Sequence, residues 1–434
     1  MISNFKFRKI LNDLKRRPED AAKDLGVSIK KIQDILTNKK ELDFKIIKKA
    51  IKIWPINYGD FFSFYDDTKL NFRIMRAKDT NISQRIMRRG GRPYYLYKDT
   101  IMSKLSPFKP ELITELVIVK DNKPNNKLVK FNNGHFLHQF TYFIGPVNFY
   151  YIENNKKKVA KMNTGDSMYI SPYVCHSFTT RDNKKNELGK ILALTYTDKL
   201  DNETLNELTA LGFDIANKFR INLKNEKNSF WNNLDNFMKN SSLSYEEFKR
   251  HTKLDLLKLK KNQHIPSNIT LKKISNFLNI SYKELFPPNN TVEVKIQKYQ
   301  NNKKWYFPSI KKRNYLFNEL TNIPQLSYSR GYEITILTNK KHKTIMEIPS
   351  HQYIYNLGTS KVNFIINNND AGYLNPEDSM YIKPNTKHLF YGYGKLLVVR
   401  LGGRLSGDNL YQLSMISEKN LRKTIGDNRP WFNK

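Results

Sequence analysis

Along the first fifty or so residues, apolar side chains recur three and four positions apart. FRKILNDLKRR, AAKDLG, IKKIQDIL and LDFKIIKKAIKIW each gather them on one helical face. Pro18 starts the second of these helices and Gly26 stops it. Ser28 is placed to cap the third, and Pro55 closes the fourth. From about residue 84 the period shortens. Gln84–Tyr97 is basic and then aromatic, and short strand-like runs follow: ITELVIVK, KLVKF, FTYFIG, VNFYYI, SMYIS, HSFTT and KILALTY. Asn, Gly, Pro and Lys turns separate them. So many short strands within about 110 residues predict a jelly-roll barrel. Residues 200–240 return to helical spacing in LNELTALGF and FWNNLDNFMKN.

The second half repeats the plan. NYGDFF has a counterpart in SYKELF, DSMYISPYVCH in DSMYIKPNTKH, and YYLY in NYLF. The offsets are similar, between about 210 and 225, which marks a tandem duplication rather than a short-period solenoid. The fold expected is α+β: a tandem repeat of a helix-turn-helix-like helical domain plus a cupin-type β-barrel. The expected units are a helical domain at 1–70, a catalytic barrel at 71–200, linker helices with a second helical domain at 201–300, and a degenerate barrel at 301–434.

Composition narrows the class. The 434 residues are too many for one ordinary core, and 39% are hydrophobic, so several folded domains are expected. No apolar run is long enough to span a membrane and the N-terminus lacks a secretory pattern. A single cysteine, Cys175, excludes an intrachain disulfide, and a cytoplasmic protein fits best. The net charge of +35 comes from lysines spread along the whole chain among many asparagines. It reads as a compositional bias that favours small anions rather than as a nucleic-acid footprint. The helical modules keep a cupin-type DNA-binding regulator open as an alternative.

The candidate chemistry lies in Asn132–Gln139 and at His176. His135 and Gln139 are four apart, so on an extended strand they share a face while His138 points the other way. His176 follows a Tyr- and Ile-rich strand that can return it to the same barrel. Two imidazoles and one amide oxygen can hold a divalent metal and leave positions open. The bland readings are a hydrogen-bonded barrel histidine and a neutral core amide. The repeat discriminates between them. Aligning Gln139 with Gln352 sets Ile348 opposite His135 and His388 opposite His176, with Phe317 at Tyr97 and no arginine at Arg89. The second barrel thus keeps two candidate donors and loses the third, which favours a chemical role for the first set. Arg89, Tyr97 and Asn132 suit an anion beside it.

These residues resemble the family of phosphonate-processing non-haem iron oxygenases, over nearly the whole chain. The family's Arg eight residues before the last Tyr of a Y-Y-x-Y run is met by Arg89 and Tyr97. Its N-x-x-H-x-x-x-(E/Q) pattern is met by Asn132, His135 and Gln139, and its later ligand by His176. The resemblance implies Fe(II) held by His135, Gln139 and His176. It implies a phosphonate bound by Lys15, Arg89, Tyr97 and Asn132. Lys15 stands eleven residues before Gly26, as a phosphonate-binding Lys of the family does. Because a helical module reaches a barrel only across an interface, Lys15 is expected from a partner chain of a homo-oligomer, with Lys239 as the alternative. Family branches differ in the third ligand. One has Glu at the position of Gln139, and another has a carboxylate at the position of Ile170. This chain has neither. That implies 2-hydroxyethylphosphonate and O2 as reactants, with cleavage to methylphosphonate and bicarbonate or CO2. The sister reaction, to hydroxymethylphosphonate and formate, is the runner-up.

Overall fold

Caps and spacing act on the N-terminal helices as the sequence leads one to expect. In the computed structural model they span Asn4–Asp13, Pro18–Leu25, Ile29–Leu36 and Phe44–Ile53. Ser3, Ser28 and Asp43 each accept a backbone N–H of the helix that follows. Gly26 ends the second helix at φ 58°, a left-handed conformation that glycine adopts without strain. The apolar faces close on a core of Phe7, Ile32, Ile47 and Trp54. A second helical module, Glu226–Asn240 through Asn268–Leu278, closes on Phe230, Leu234, Phe248 and Ile274. The structure describes residues 3–425 apart from 184–186, 198–199, 222, 224, 288–291 and 369. Among them, no helix is long and apolar enough to cross a membrane.

Between and after these modules stand two β-units, each a large sheet facing a small one. The first large sheet has seven strands. Their order is Val294–Gln297, Ser167–Ile170, His138–Ile144, Lys190–Tyr196, Phe108–Glu115, Arg92–Asp99 and Arg85–Arg89. The second also has seven. These run Phe72–Met75, Ser379–Ile382, His351–Asn356, Gly394–Leu401, Ser329–Ile336, Arg313–Glu319 and Lys304–Pro308. The two orders match strand for strand, and one outermost strand of each is exchanged. Phe72–Met75 lies in the first half of the chain yet pairs with Ser379–Ile382, while Val294–Gln297 pairs with Ser167–Ile170. Each exchanged strand covers a sheet edge that would otherwise expose unpaired backbone groups.

Each unit has its own interior, around Tyr95, Phe149, Ile170 and Phe178 in the first and Tyr315, Phe364, Ile382 and Phe390 in the second. A third core lies between the large sheets, where Phe140, Tyr142, Tyr169 and Leu194 meet Leu326, Tyr353, Tyr381 and Val399. Polar links seal it. Tyr142 donates to Glu333 at 2.5 Å, and Tyr353 donates to Thr100 at 2.8 Å.

Two strand expectations fail locally. KLVKF is a loop, because Asp121 and Asn126 satisfy the backbone themselves. Lys123 N and Asn126 Nδ2 donate to Asp121 Oδ1 at 3.0 and 2.9 Å, and Leu128 N donates to Asn126 Oδ1 at 2.8 Å. Such side-chain bonds compete with a ladder. Conversely, Lys156–Met162 forms a strand whose exposed lysines hid its alternation.

Candidate metal centre

The cluster begins with a turn that only glycine permits. Gly134 has φ 75°, and a Cβ there would stand 2.5 Å from the Tyr173 carbonyl carbon. The close approach binds two loops together, and Tyr173 N donates to His135 O at 2.8 Å. Here the sequence expectation needs correction. The strand starts at His138, so His135 precedes it and does not share a strand face with Gln139. The Gly134 turn, not strand alternation, brings the imidazole over the strand's first residues.

Both imidazoles are oriented by backbone. His135 Nδ1 donates to Leu137 O and His176 Nδ1 donates to Val174 O, each at 2.8 Å. In the neutral rings this leaves a lone pair on each Nε2. The rings are 5.2 Å apart, centroid to centroid, and nearly perpendicular at 85°. Gln139 is buried, and its Nε2 donates to Thr141 Oγ1 at 2.8 Å. That bond turns Gln139 Oε1 toward His135 Nε2, 3.0 Å away. Two lone pairs therefore face each other, an arrangement that a cation between them satisfies. Burial pushes the His176 imidazolium down to about 3, so this ring offers its lone pair near neutrality. The residues present fit a divalent metal, with backbone carbonyls setting the ring tautomers as in known histidine metal sites. Among the described residues, no three His, Cys, Asp or Glu side chains form a metal cluster, so a third donor beside the two imidazoles would have to be the Gln139 amide.

Asn132 is tied to the same ring. His176 N and Gly134 N donate to Asn132 Oδ1 at 2.8 and 3.1 Å. Its Nδ2 rests 3.1 Å from His176 Nε2, the lone pair that a metal would take.

Arg89 and Tyr97 adjoin the cluster through Tyr95, a residue that the sequence reading did not single out. Arg89 Nη1 donates to Lys130 O at 3.1 Å and to the Tyr95 hydroxyl at 3.3 Å, with the guanidinium 4.8 Å above the Tyr95 ring. Phe178 N donates to the same hydroxyl at 3.0 Å, two residues beyond His176. Tyr97 packs edge-on to Tyr95 at 5.9 Å. Burial and then the Glu111 carboxylate push its hydroxyl pKa upward. Alternation within Tyr94–Tyr97 was the available clue to Tyr95, since it puts residues 95 and 97 on one face. Glu115, cross-strand from Tyr95, was also missed. It is fully buried, with neither carboxylate oxygen hydrogen-bonded among the described residues. Burial drives its pKa far up, against the pull of Arg89.

Other candidates lie elsewhere. Lys15 is exposed at the end of the first helix with φ 54°, and Lys239 is exposed in the last turn of Glu226–Asn240. His138 bonds the Tyr169 hydroxyl at 2.7 Å and stacks on Tyr169 and Tyr196, in the core between the sheets. Cys175 is half-buried.

No family model matches the chain. It is 41% identical to methylphosphonate synthase of Nitrosopumilus maritimus (strain SCM1) over 435 residues, covering 98% of this chain and 94% of that protein. Its structure is similar to Streptomyces albus HEPD with 2-hydroxyethylphosphonate and Fe(II) bound. The TM-score is 0.91 at 30% identity, covering 99% of this chain and 98% of the other. A further 2-hydroxyethylphosphonate dioxygenase structure matches with TM-score 0.76 at 16% identity, over 97% of this chain and 100% of its own, and speaks to fold alone.

Proposed function

The chain belongs to the methylphosphonate synthase family of non-haem iron phosphonate oxygenases, and on that premise we propose that it cleaves the carbon–carbon bond of 2-hydroxyethylphosphonate with O2, giving methylphosphonate and bicarbonate or CO2. It is an Fe(II)-dependent oxygenase. We read its two-sheet units as cupin barrels and the helical modules before them as helix-turn-helix-like.

One observation carries the choice of reaction. Gln139 and Ile170 are direct cross-strand partners. A carboxylate at either position could therefore reach one metal, yet the pair here is an amide and a fully buried isoleucine. In this reading His135, Gln139 and His176 hold the iron, which supplies the one-electron chemistry for reaction with O2. All three donors are neutral, so the ion keeps its full double charge and favours a dianionic substrate more than a carboxylate-ligated site would. One O2 balances the atoms: the carbinol carbon leaves as CO2 with one water (together, bicarbonate and a proton), the carbon on phosphorus becomes a methyl group, and no external reductant is consumed.

The chain's own residues bind and orient. Arg89, held flat by Tyr95 and the Lys130 carbonyl, presents its remaining N–H donors to the phosphonate. Tyr97 stays protonated and donates. Asn132, whose Nδ2 lies beside His176 Nε2, would offer its amide to the substrate once that ring held the iron. Lys15 closes the site from a second copy of the chain. Fixing the substrate within reach of the oxidant supplies much of the rate.

The test is the product. Iron-reconstituted protein given 2-hydroxyethylphosphonate and air yields methylphosphonate by phosphorus NMR. No turnover, or hydroxymethylphosphonate alone, overturns the reading.

A further inference from the structure

In the second β-unit, strand Gly394–Leu401 sets Arg400 directly opposite Gln352 on one side and Arg330 on the other. Cross-strand partners share a face, with Cβ atoms about 5 Å apart. The two arginine side chains therefore leave the sheet on the same face, near the strand end at the mouth of this unit. Arg400 Nε donates to Gln352 Oε1 at 3.3 Å, and its guanidinium lies 5.1 Å from the Tyr332 ring and 5.8 Å from the Phe317 ring. Burial lowers its pKa, but an arginine remains charged at any working pH. Among the described residues Arg400 has no carboxylate partner. Arg330 has only Glu319, 3.9 Å away, with both side chains partly exposed.

Of the two cations only Arg330 has a carboxylate within 4 Å among the described residues, and Arg400 is held by the neutral Gln352 amide and Tyr332 hydroxyl alone. Like charges directly opposite each other destabilise a sheet, and an enclosed unpaired charge costs more. An anion between the two arginines removes both penalties and gains charge-assisted hydrogen bonds. Trp305, stacked on Phe317 at 5.8 Å, walls the same side and is 39% exposed, which leaves the mouth open.

We propose that the mouth of the second β-unit binds a small tetrahedral oxyanion of the phosphate or phosphonate class, gripped by Arg400 and Arg330 without a metal. The corresponding positions in the first unit are Thr195 and Lys109, the cross-strand partners there, so the arginine pair is particular to the second unit. The site lies outside the reaction centre and stands or falls independently of the reaction proposed above.

The experiment uses the full-length chain carrying Arg89→Ala, which weakens anion binding in the first unit. Inorganic phosphate and methylphosphonate are titrated separately, by calorimetry and by tryptophan fluorescence. Saturable binding is expected, with a fluorescence change that Trp305→Phe abolishes while the heat persists. Arg400→Gln removes the binding. Arg330→Gln, at the exposed rim where the fold is tolerant, weakens it about tenfold or more. Binding of phosphate alone assigns free phosphate as the ligand, and binding of methylphosphonate alone assigns the phosphonate. No saturable binding of either anion, or binding unchanged in Arg330→Gln, overturns the proposal.

Discussion

The two β-units share strand order, register and even the histidine–tyrosine pairs on their packed faces, yet their interiors have parted. His138 bonds Tyr169 at 2.7 Å, and its counterpart His351 bonds Tyr381 at 2.6 Å. Tyr95 receives Phe178 N just as Tyr315 receives Phe390 N. At the centre, Gln139 Oε1 faces an imidazole lone pair, whereas Gln352 Oε1 accepts from Arg400. In the second unit a covalently attached cation satisfies the glutamine that a metal would satisfy in the first. A duplicated scaffold can thus keep its hydrogen-bonded frame while the glutamine at its centre meets a guanidinium in one copy and an imidazole in the other. The changes needed are few: Ile348 for His135, Arg400 for Thr195, Phe317 for Tyr97.

The strongest way to break this comparison is to make the first unit like the second. His135→Ile removes the donor that Ile348 lacks. It should abolish iron binding, read by metal analysis, and methylphosphonate formation together. Iron retained at the wild-type level would remove His135 from the centre. Gln139→Ala should lose both as well, less completely, because an amide is the weakest of the three donors.

The converse experiment adds a ligand. Ile348→His alone should bind no second metal, because Arg400 already occupies Gln352. Ile348→His with Arg400→Thr should bind a second equivalent of divalent metal per chain. Failure of the double variant, in a protein of unchanged circular dichroism, would show that the second frame has drifted too far to chelate.

Arg89→Lys should raise KM about tenfold with a smaller change in kcat, since the planar fork is lost while the charge remains. An unchanged KM would make Arg89 a structural residue stacked on Tyr95.

Acid provides a smaller test, directed at the second unit. Burial holds His351 and His388 at about 4, below the unperturbed value of about 6.5. The unfolded chain therefore binds more protons than the folded one between these values. The stability associated with neutral rings is present above about pH 6.5 and is lost as pH falls toward 4, about 2 kcal/mol per histidine by pH 5. Denaturant midpoints measured from pH 7 to 5 should fall, and His351→Gln should flatten part of the slope. A flat wild-type profile would contradict these depressed values.

The smallest effect is expected from Tyr97→Phe. Phe317 shows that the position accepts phenylalanine within the same strand pairing. Loss of one hydroxyl should cost several-fold in kcat/KM and leave the melting temperature nearly unchanged.

Local patterns made much of this legible. Helix spacing with Pro18, Gly26 and Ser28 located the first module, because caps and breakers act over a few residues. The repeated DSMYI segments located matching strands, each second from the edge of its large sheet. The His135, Gln139 and His176 set was read from residue spacing and sharpened by comparing the two halves, although the strand argument used for His135 was mistaken. Strand alternation says nothing about a loop residue that a left-handed glycine folds back. Lys156–Met162 escaped because lysines on its outer face diluted the alternation, and KLVKF misled because two neighbouring Asx side chains captured the backbone.

What the sequence determined by itself is the inventory and its bias: helical modules, two sets of short strands, and three candidate donors present in one half and incomplete in the other. These follow from residue identity and local spacing. The tertiary structure alone decided which donors meet. It exchanged Phe72–Met75 and Val294–Gln297 between units, set Ile170 opposite Gln139, and placed Arg400 between Gln352 and Arg330. Each is a pairing between strands far apart in the chain, chosen by burial of whole sheet faces and by satisfaction of sheet edges. No window of neighbouring residues contains that information.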